Sequence, residues 1–142
     1  LTLHDFSARD GDELCRRYGV PLSADQRERL YGLLQGHPLL TRLALHHLSS
    51  EQASLESLEE CALSVDGPFG EHFRHLIRVL ARDPELSSGV RRALDGEPIE
   101  TESFFRLRSV GVLRGDSTSQ AAFRCPLYRS WLARHLPHAD GW

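Results

Sequence analysis

Methionine, lysine and asparagine do not occur anywhere in the 142 residues. Without lysine there is no Gly-x-x-x-x-Gly-Lys-Ser/Thr loop to cradle nucleotide phosphates, so these residues are not expected to be an enzyme by themselves. All 17 basic residues are therefore Arg, a bias that reads as GC-rich bacterial coding rather than as mechanism. The missing methionine, position 1 included, sets the expectation that the chain is cut from a longer polypeptide. Cysteine is scarce: Cys15, Cys61 and Cys125 are odd in number and far apart, and are expected to be buried thiols in a reducing cytosol. No apolar run reaches the roughly 18 to 20 residues of a membrane span, and no charged-then-apolar leader opens the chain. No membrane partner is expected, and the expected location is cytoplasmic. The formal net charge of -3 supplies no general pull toward phosphate backbones, so bulk nucleic-acid binding is not favoured.

A hydrophobic content of 40% is ample for one core, or for two small subdomains of about 65 to 75 residues each. Local signals place the helices. Ser7 caps a first helix that runs to about Tyr18 and stops at Gly19, with Leu14, Cys15 and Tyr18 on one face. Ser23 with Gln26 forms a capping-box pattern ahead of Leu30, Leu33 and Leu34, and Gly36 ends that helix. Pro38 suits a first helical turn, whose N–H groups lack partners in any case, and Leu40, Leu43, Ala44 and Leu48 follow at helical spacing. After a polar loop over Ser49–Ser54, Leu55, Leu58 and Ala62 indicate a short fourth helix expected to pack across the first three.

Gly67-Pro68 marks the expected boundary between a helical subdomain, 1–66, and a second subdomain, 67–137, with a flexible tail over 138–142. The second part opens with a stripe of Phe69, Phe73, Leu76, Ile77 and Leu80. Asp83 caps the next helix, with Pro84 in its first turn and Leu86, Val90 and Leu94 inward. Gly96-Glu97-Pro98 closes it, Ile99 is placed in a very short strand, and Thr101 caps a helix carrying Phe104, Phe105, Leu107 and Val110 up to Gly111. The period then changes: Val112-Leu113-Arg114 and Ala121-Ala122-Phe123-Arg124 flank a turn-rich segment and read as a hairpin. Pro126 opens a last helix with Tyr128, Trp131, Leu132 and Leu136. The expected fold is mainly α, a small helical subdomain followed by a winged-helix-like one with a short β-hairpin.

The stretch Leu33-Leu34-Gln35-Gly36-His37-Pro38-Leu39-Leu40-Thr41-Arg42-Leu43-Ala44-Leu45-His46-His47-Leu48 resembles the Gly-x-Pro segment in the helical lid of STAND-type ATPases. It is most similar to the bacterial AAA-like family with a Gly-His-Pro signature. Phe104–Leu113 and Arg124–Leu132 are similar, in order and spacing, to that family's winged-helix end. The resemblance covers nearly the whole chain and implies that Walker motifs precede it in the parent polypeptide. It also implies that the proline packs on the adenine of ATP or ADP, so that Gly36, His37 and Pro38 sense the nucleotide. No cofactor is expected in these residues themselves. At position 35 the family pattern has a second glycine, where this chain has Gln35. The tripeptide also has a plain reading as a helix stop followed by an N-terminal proline. Gly36 allows a sharp turn and Pro38 offers a rigid apolar ring to a flat base.

Other candidates are weaker. His46-His47 and the pair His72 and His75 lack Cys or carboxylate partners at zinc-site spacing and are expected to be solvated or boundary residues. Arg106, Arg108, Arg114 and Arg124 are placed to touch DNA phosphates or a partner, but Glu97, Glu100, Glu102 and Asp116 lie among them and bring the local balance near neutral. The first functional expectation is therefore a regulatory lid and winged helix of a bacterial signalling or defence ATPase, not catalytic alone. Its partners would be the NTPase core of the same polypeptide and other protein domains. The alternatives are a winged-helix DNA-binding regulator and a protein-interaction adaptor.

Overall fold

The computed structural model describes residues 5–49 and 54–136. Most of the loop expected over Ser49–Ser54, and the expected tail at 138–142, lie outside these residues. The fold is mainly helical, with eight α-helices and, near the C-terminus, one two-stranded antiparallel hairpin among the described residues. The chain divides into two compact units. The first extends to Glu71 and takes in Cys125–Leu127; the second comprises His72–Arg124 and resumes at Tyr128.

The first unit contains α1 (Ala8–Tyr18), α2 (Ala24–Leu34), α3 (Pro38–Leu48) and α4 (Leu55–Cys61). Three of these begin with a reciprocal capping box, each satisfying helix-end N–H groups that have no intrahelical acceptor. In α1 the Ser7 hydroxyl accepts from the Asp10 N–H at 3.1 Å while the Asp10 carboxylate accepts from the Ser7 N–H at 3.0 Å. Gly19, at φ 69°, stops α1 as expected. α1 packs on α2 and α3, and α3 on α4. Arg29 on α2 reaches α4 as well, pairing with Glu56 and Glu59. The core of α3 is Leu40, Ala44, Leu45 and Leu48, with Thr41 also buried; Leu43, expected inside, is only half-buried. Leu45 takes its place because the buried stripe is offset by part of a turn. Leu55, Leu58 and Ala62 are buried as their spacing predicts.

The second unit contains most of α5 (Gly70–Ala81), α6 (Pro84–Leu94), α7 (Thr101–Ser109), β1 (Leu113–Arg114), β2 (Ala122–Phe123) and most of α8 (Pro126–His135). Phe73 stacks on Trp131 with centroids 5.0 Å apart and meets Tyr128 edge-on at 5.0 Å. All three rings are buried, each contributing about 1.5–3 kcal/mol relative to exposure. His72 Nε2 lies 2.9 Å from the Tyr128 hydroxyl, giving that buried oxygen a partner. α6 packs closely on α7, where a Cβ on Gly89 would come within 2.9 Å of Leu107 Cδ1. In the hairpin Leu113 pairs with Phe123 and Arg114 with Ala122.

Three local expectations change. Ile99 forms no strand; it is half-buried and its Cγ2 lies 3.9 Å from where a Gly89 Cβ would stand, so its side chain serves the α6 interface. Thr101 is the first helical residue rather than the cap, because Glu100 holds the extended boundary conformation and makes no side-chain cap bond. Cys15 and Cys125 are buried, but Cys61, at the end of α4, is only half-buried; none of the three is in a disulfide. No helix among the described residues is long and apolar enough to cross a membrane.

Candidate functional site

The Gly36-His37-Pro38 turn is built from both ends. α2 stops at Leu34, and the next two residues are both left-handed, Gln35 at φ 48° and Gly36 at φ 74°. The stop thus comes one residue before the expected Gly36, at Gln35. The Gln35 N–H donates to the Tyr31 carbonyl at 2.6 Å and the His37 N–H to the Leu34 carbonyl at 3.0 Å, so carbonyls of the last helical turn are satisfied.

Gly36 is buried against the chain just before α1. The Phe6 N–H donates to the Gly36 carbonyl at 2.8 Å, and a Cβ on Gly36 would stand 1.9 Å from the Phe6 carbonyl oxygen. No side chain fits there, whatever the backbone angle. His37 is the N-cap of α3: its Nδ1 accepts from the Leu40 N–H at 3.3 Å and its carbonyl accepts from the Thr41 N–H at 2.9 Å. Pro38 occupies the first helical turn, half-exposed, and is followed by Leu39, which is 45% exposed. Gly36 and His37 therefore hold the turn, while Pro38, at the first helical position, is only half-buried.

The four arginines have different surroundings. Arg106 is engaged with Asp83 and, at 3.2 Å, with Glu85. Asp83 also caps α6, accepting from the Glu85 N–H at 3.1 Å and the Leu86 N–H at 3.3 Å. The Arg106 hydrogen bond, with the two backbone donors, holds the Asp83 carboxyl below the usual carboxylate range. Arg108 donates to the Gly115 carbonyl at 3.0 Å, and its guanidinium lies 4.8 Å from the Phe105 ring centre. Arg114 is exposed on β1, and Arg124, half-buried, extends the hairpin by donating its N–H to the Val112 carbonyl at 2.9 Å. The structure brings Arg114 and Arg124 to the same hairpin, whereas Arg106 and Arg108 on α7 turn to partners within the unit. Among the described residues no group of three His, Cys, Asp or Glu side chains is placed to hold a metal ion.

The family model for the AAA-like domain matches residues 1–134. The chain belongs to the AAA-like domain family. No curated protein and no solved structure matches it. The match spans both units of this AAA-like domain, so the turn at Gly36 and the hairpin at 113–123 fall within it. Phe6, which shapes the turn of the AAA-like domain, escapes sequence reasoning, whereas Gln35 is singled out there as the place where a glycine is expected. Phe6 acts through its main chain, which leaves no side-chain signature. A glutamine by itself gives no hint of a left-handed conformation; the expectation of glycine at position 35 is the signal that points to it.

Proposed function

We propose that this AAA-like domain is the lid and winged-helix portion of a bacterial STAND-type signalling or defence ATPase, working in the cytoplasm as a regulatory element without catalysis of its own. The carrying observation is the half-buried Pro38 at the first turn of α3, on a turn clamped through Gly36 and Phe6. A rigid apolar ring on a fixed turn can pack on a flat base and can transmit a change in that contact to the helix behind it. In the parent protein ATP or ADP would be held by an NTPase core in the same polypeptide, with Pro38 against the adenine. Exchange or hydrolysis would then shift the lid between two positions, because the two nucleotides make different contacts. The order α6, α7, hairpin, α8 supports a winged helix as the element that is moved and that meets other protein domains. The internal engagement of Arg106 and Arg108 weighs against α7 as a DNA-reading surface and favours a protein partner.

The test is Pro38→Ala in the intact protein, measuring ATP and ADP affinity by calorimetry. Removing ring methylenes worth about 0.8 kcal/mol each from an adenine contact weakens binding roughly tenfold. Unchanged affinity for both nucleotides removes the sensing role. The 142 residues alone are expected to show no ATPase activity.

A further inference from the structure

Charge is unevenly divided along the chain. Residues 103–142 carry six arginines against two acidic residues, whereas residues 1–102 carry 11 against 18. From 117 to 138 there is no acidic residue at all. The net charge of -3 therefore conceals a basic C-terminal stretch. The glutamates near α7 in sequence stand apart from that stretch in space. Glu97, Glu100 and Glu102 lie before α7 and in its first turn, and the hairpin follows its other end. The nine residues of α7, at about 1.5 Å each, separate the two ends by roughly 13 Å, more than the Debye length of about 8 Å at physiological salt.

The hairpin organises the basic charge. Arg114 pairs with Ala122, so Arg124, two residues further along, is its diagonal neighbour on the same face. Such neighbours are about 7–8 Å apart, within the span of one extended acidic chain. Ala122, between them, is exposed and small and leaves the approach open. Arg108 fixes the turn by donating to the Gly115 carbonyl at 3.0 Å. α8 adds to the same surface: the Arg129 guanidinium lies 5.7 Å from the centre of the Phe123 ring on β2, and Arg134 is exposed further along the helix. Asp116, in the turn, is the one acidic residue of the hairpin.

We propose that the hairpin and the adjoining face of α8 form a docking surface for an acidic polypeptide segment of a protein partner. This deepens the reading above that the winged-helix portion meets other protein domains, and rests on it. Two observations favour a peptide over a nucleic-acid duplex. Arg106 and Arg108 are engaged within the unit, so α7 adds no phosphate contacts beside the hairpin. A duplex is stiff and charged along its whole length, so it spans α7 and meets the glutamates at the far end, whereas a flexible segment bends away from them.

Fluorescence anisotropy with three labelled probes tests this on the 142-residue chain: a short peptide alternating glutamate and alanine, its glutamine counterpart, and a DNA duplex of similar length. The acidic peptide is expected to bind at low salt and to be released as salt rises, and the glutamine peptide is expected not to bind. Arg114→Glu replaces attraction by repulsion and should weaken the acidic peptide about tenfold. Arg134→Glu, on α8, should weaken it as well and is the second variant should Arg114→Glu alter the circular dichroism spectrum. Arg9 is exposed on α1, in the other unit, so Arg9→Glu makes the same change in net charge and should leave affinity within about twofold. Absence of acidic-peptide binding at low salt overturns the proposal. So does an equal loss in Arg9→Glu and Arg114→Glu, which marks net charge alone, and so does tighter binding of the duplex than of the peptide. Unchanged nucleotide affinity in Pro38→Ala removes the sensing role without touching this surface, so the two readings fail separately.

Discussion

Replacing Gly36 by alanine tests whether the turn is clamped as described. Two penalties arise. At φ 74° a Cβ meets the strain of the left-handed region, about 1 kcal/mol for an L-residue. The same Cβ would stand 1.9 Å from the Phe6 carbonyl oxygen, a backbone atom that cannot rotate away, so the segment before α1 must lift and the bond from Phe6 N–H to Gly36 carbonyl is lost. That bond is worth about 1 kcal/mol, and displaced packing raises the total to about 2–3 kcal/mol. Two other glycines serve as controls. Gly19 has φ 69° with nothing within 4 Å of its Cβ, so Gly19→Ala carries the conformational penalty alone, about 1 kcal/mol. Gly11 is helical with equally open surroundings, so Gly11→Ala should stabilise by about 1 kcal/mol. Urea unfolding by far-ultraviolet circular dichroism measures the series, and amide exchange at Ala44 and Leu45 in α3 localises the effect. With a slope of about 1–3 kcal/mol per molar urea, Gly36→Ala should lower the midpoint by roughly 1 M or more. If Gly36→Ala and Gly19→Ala cost the same, the close approach of Phe6 is refuted.

Gln35→Gly should stabilise the first unit by about 0.5–1 kcal/mol, since it relieves a left-handed glutamine at the end of α2 while adding some unfolded-state entropy; a loss of stability in urea would contradict the φ of 48°. His72 is held below its ordinary pKa, first by burial and then by the charge of His75, so the native state prefers it neutral. Its contribution is complete above the unfolded value near pH 6.5 and is lost as pH falls through the lower folded value. Stability measured at pH 7.5 and 5.5 should therefore drop with acid in the wild-type chain and drop less in His72→Gln, which keeps a polar side chain near Tyr128; equal slopes would exclude His72 as the source.

Much of the secondary structure was legible because the signals that set helix ends are local. Ser7 with Asp10, Ser23 with Gln26, and Asp83 ahead of Pro84 each lie within one turn of the groups they satisfy. The hairpin at 113–123 was legible too, since a change from helical to strand period is written in neighbouring residues. Sequence alone also located the candidate turn, through Gly36 and Pro38, and the lysine-free composition that leaves no Walker lysine in these residues.

Tertiary structure decided what those residues touch. The necessity of glycine at position 36 comes from the Phe6 main chain, thirty positions earlier, and no local pattern encodes that approach. The near-neutral charge around α7 was readable as a count, but not that Arg106 answers Asp83 and Glu85 on α6 rather than the acidic residues nearer to it in sequence. Ion pairs follow distance in space, which chain order does not give.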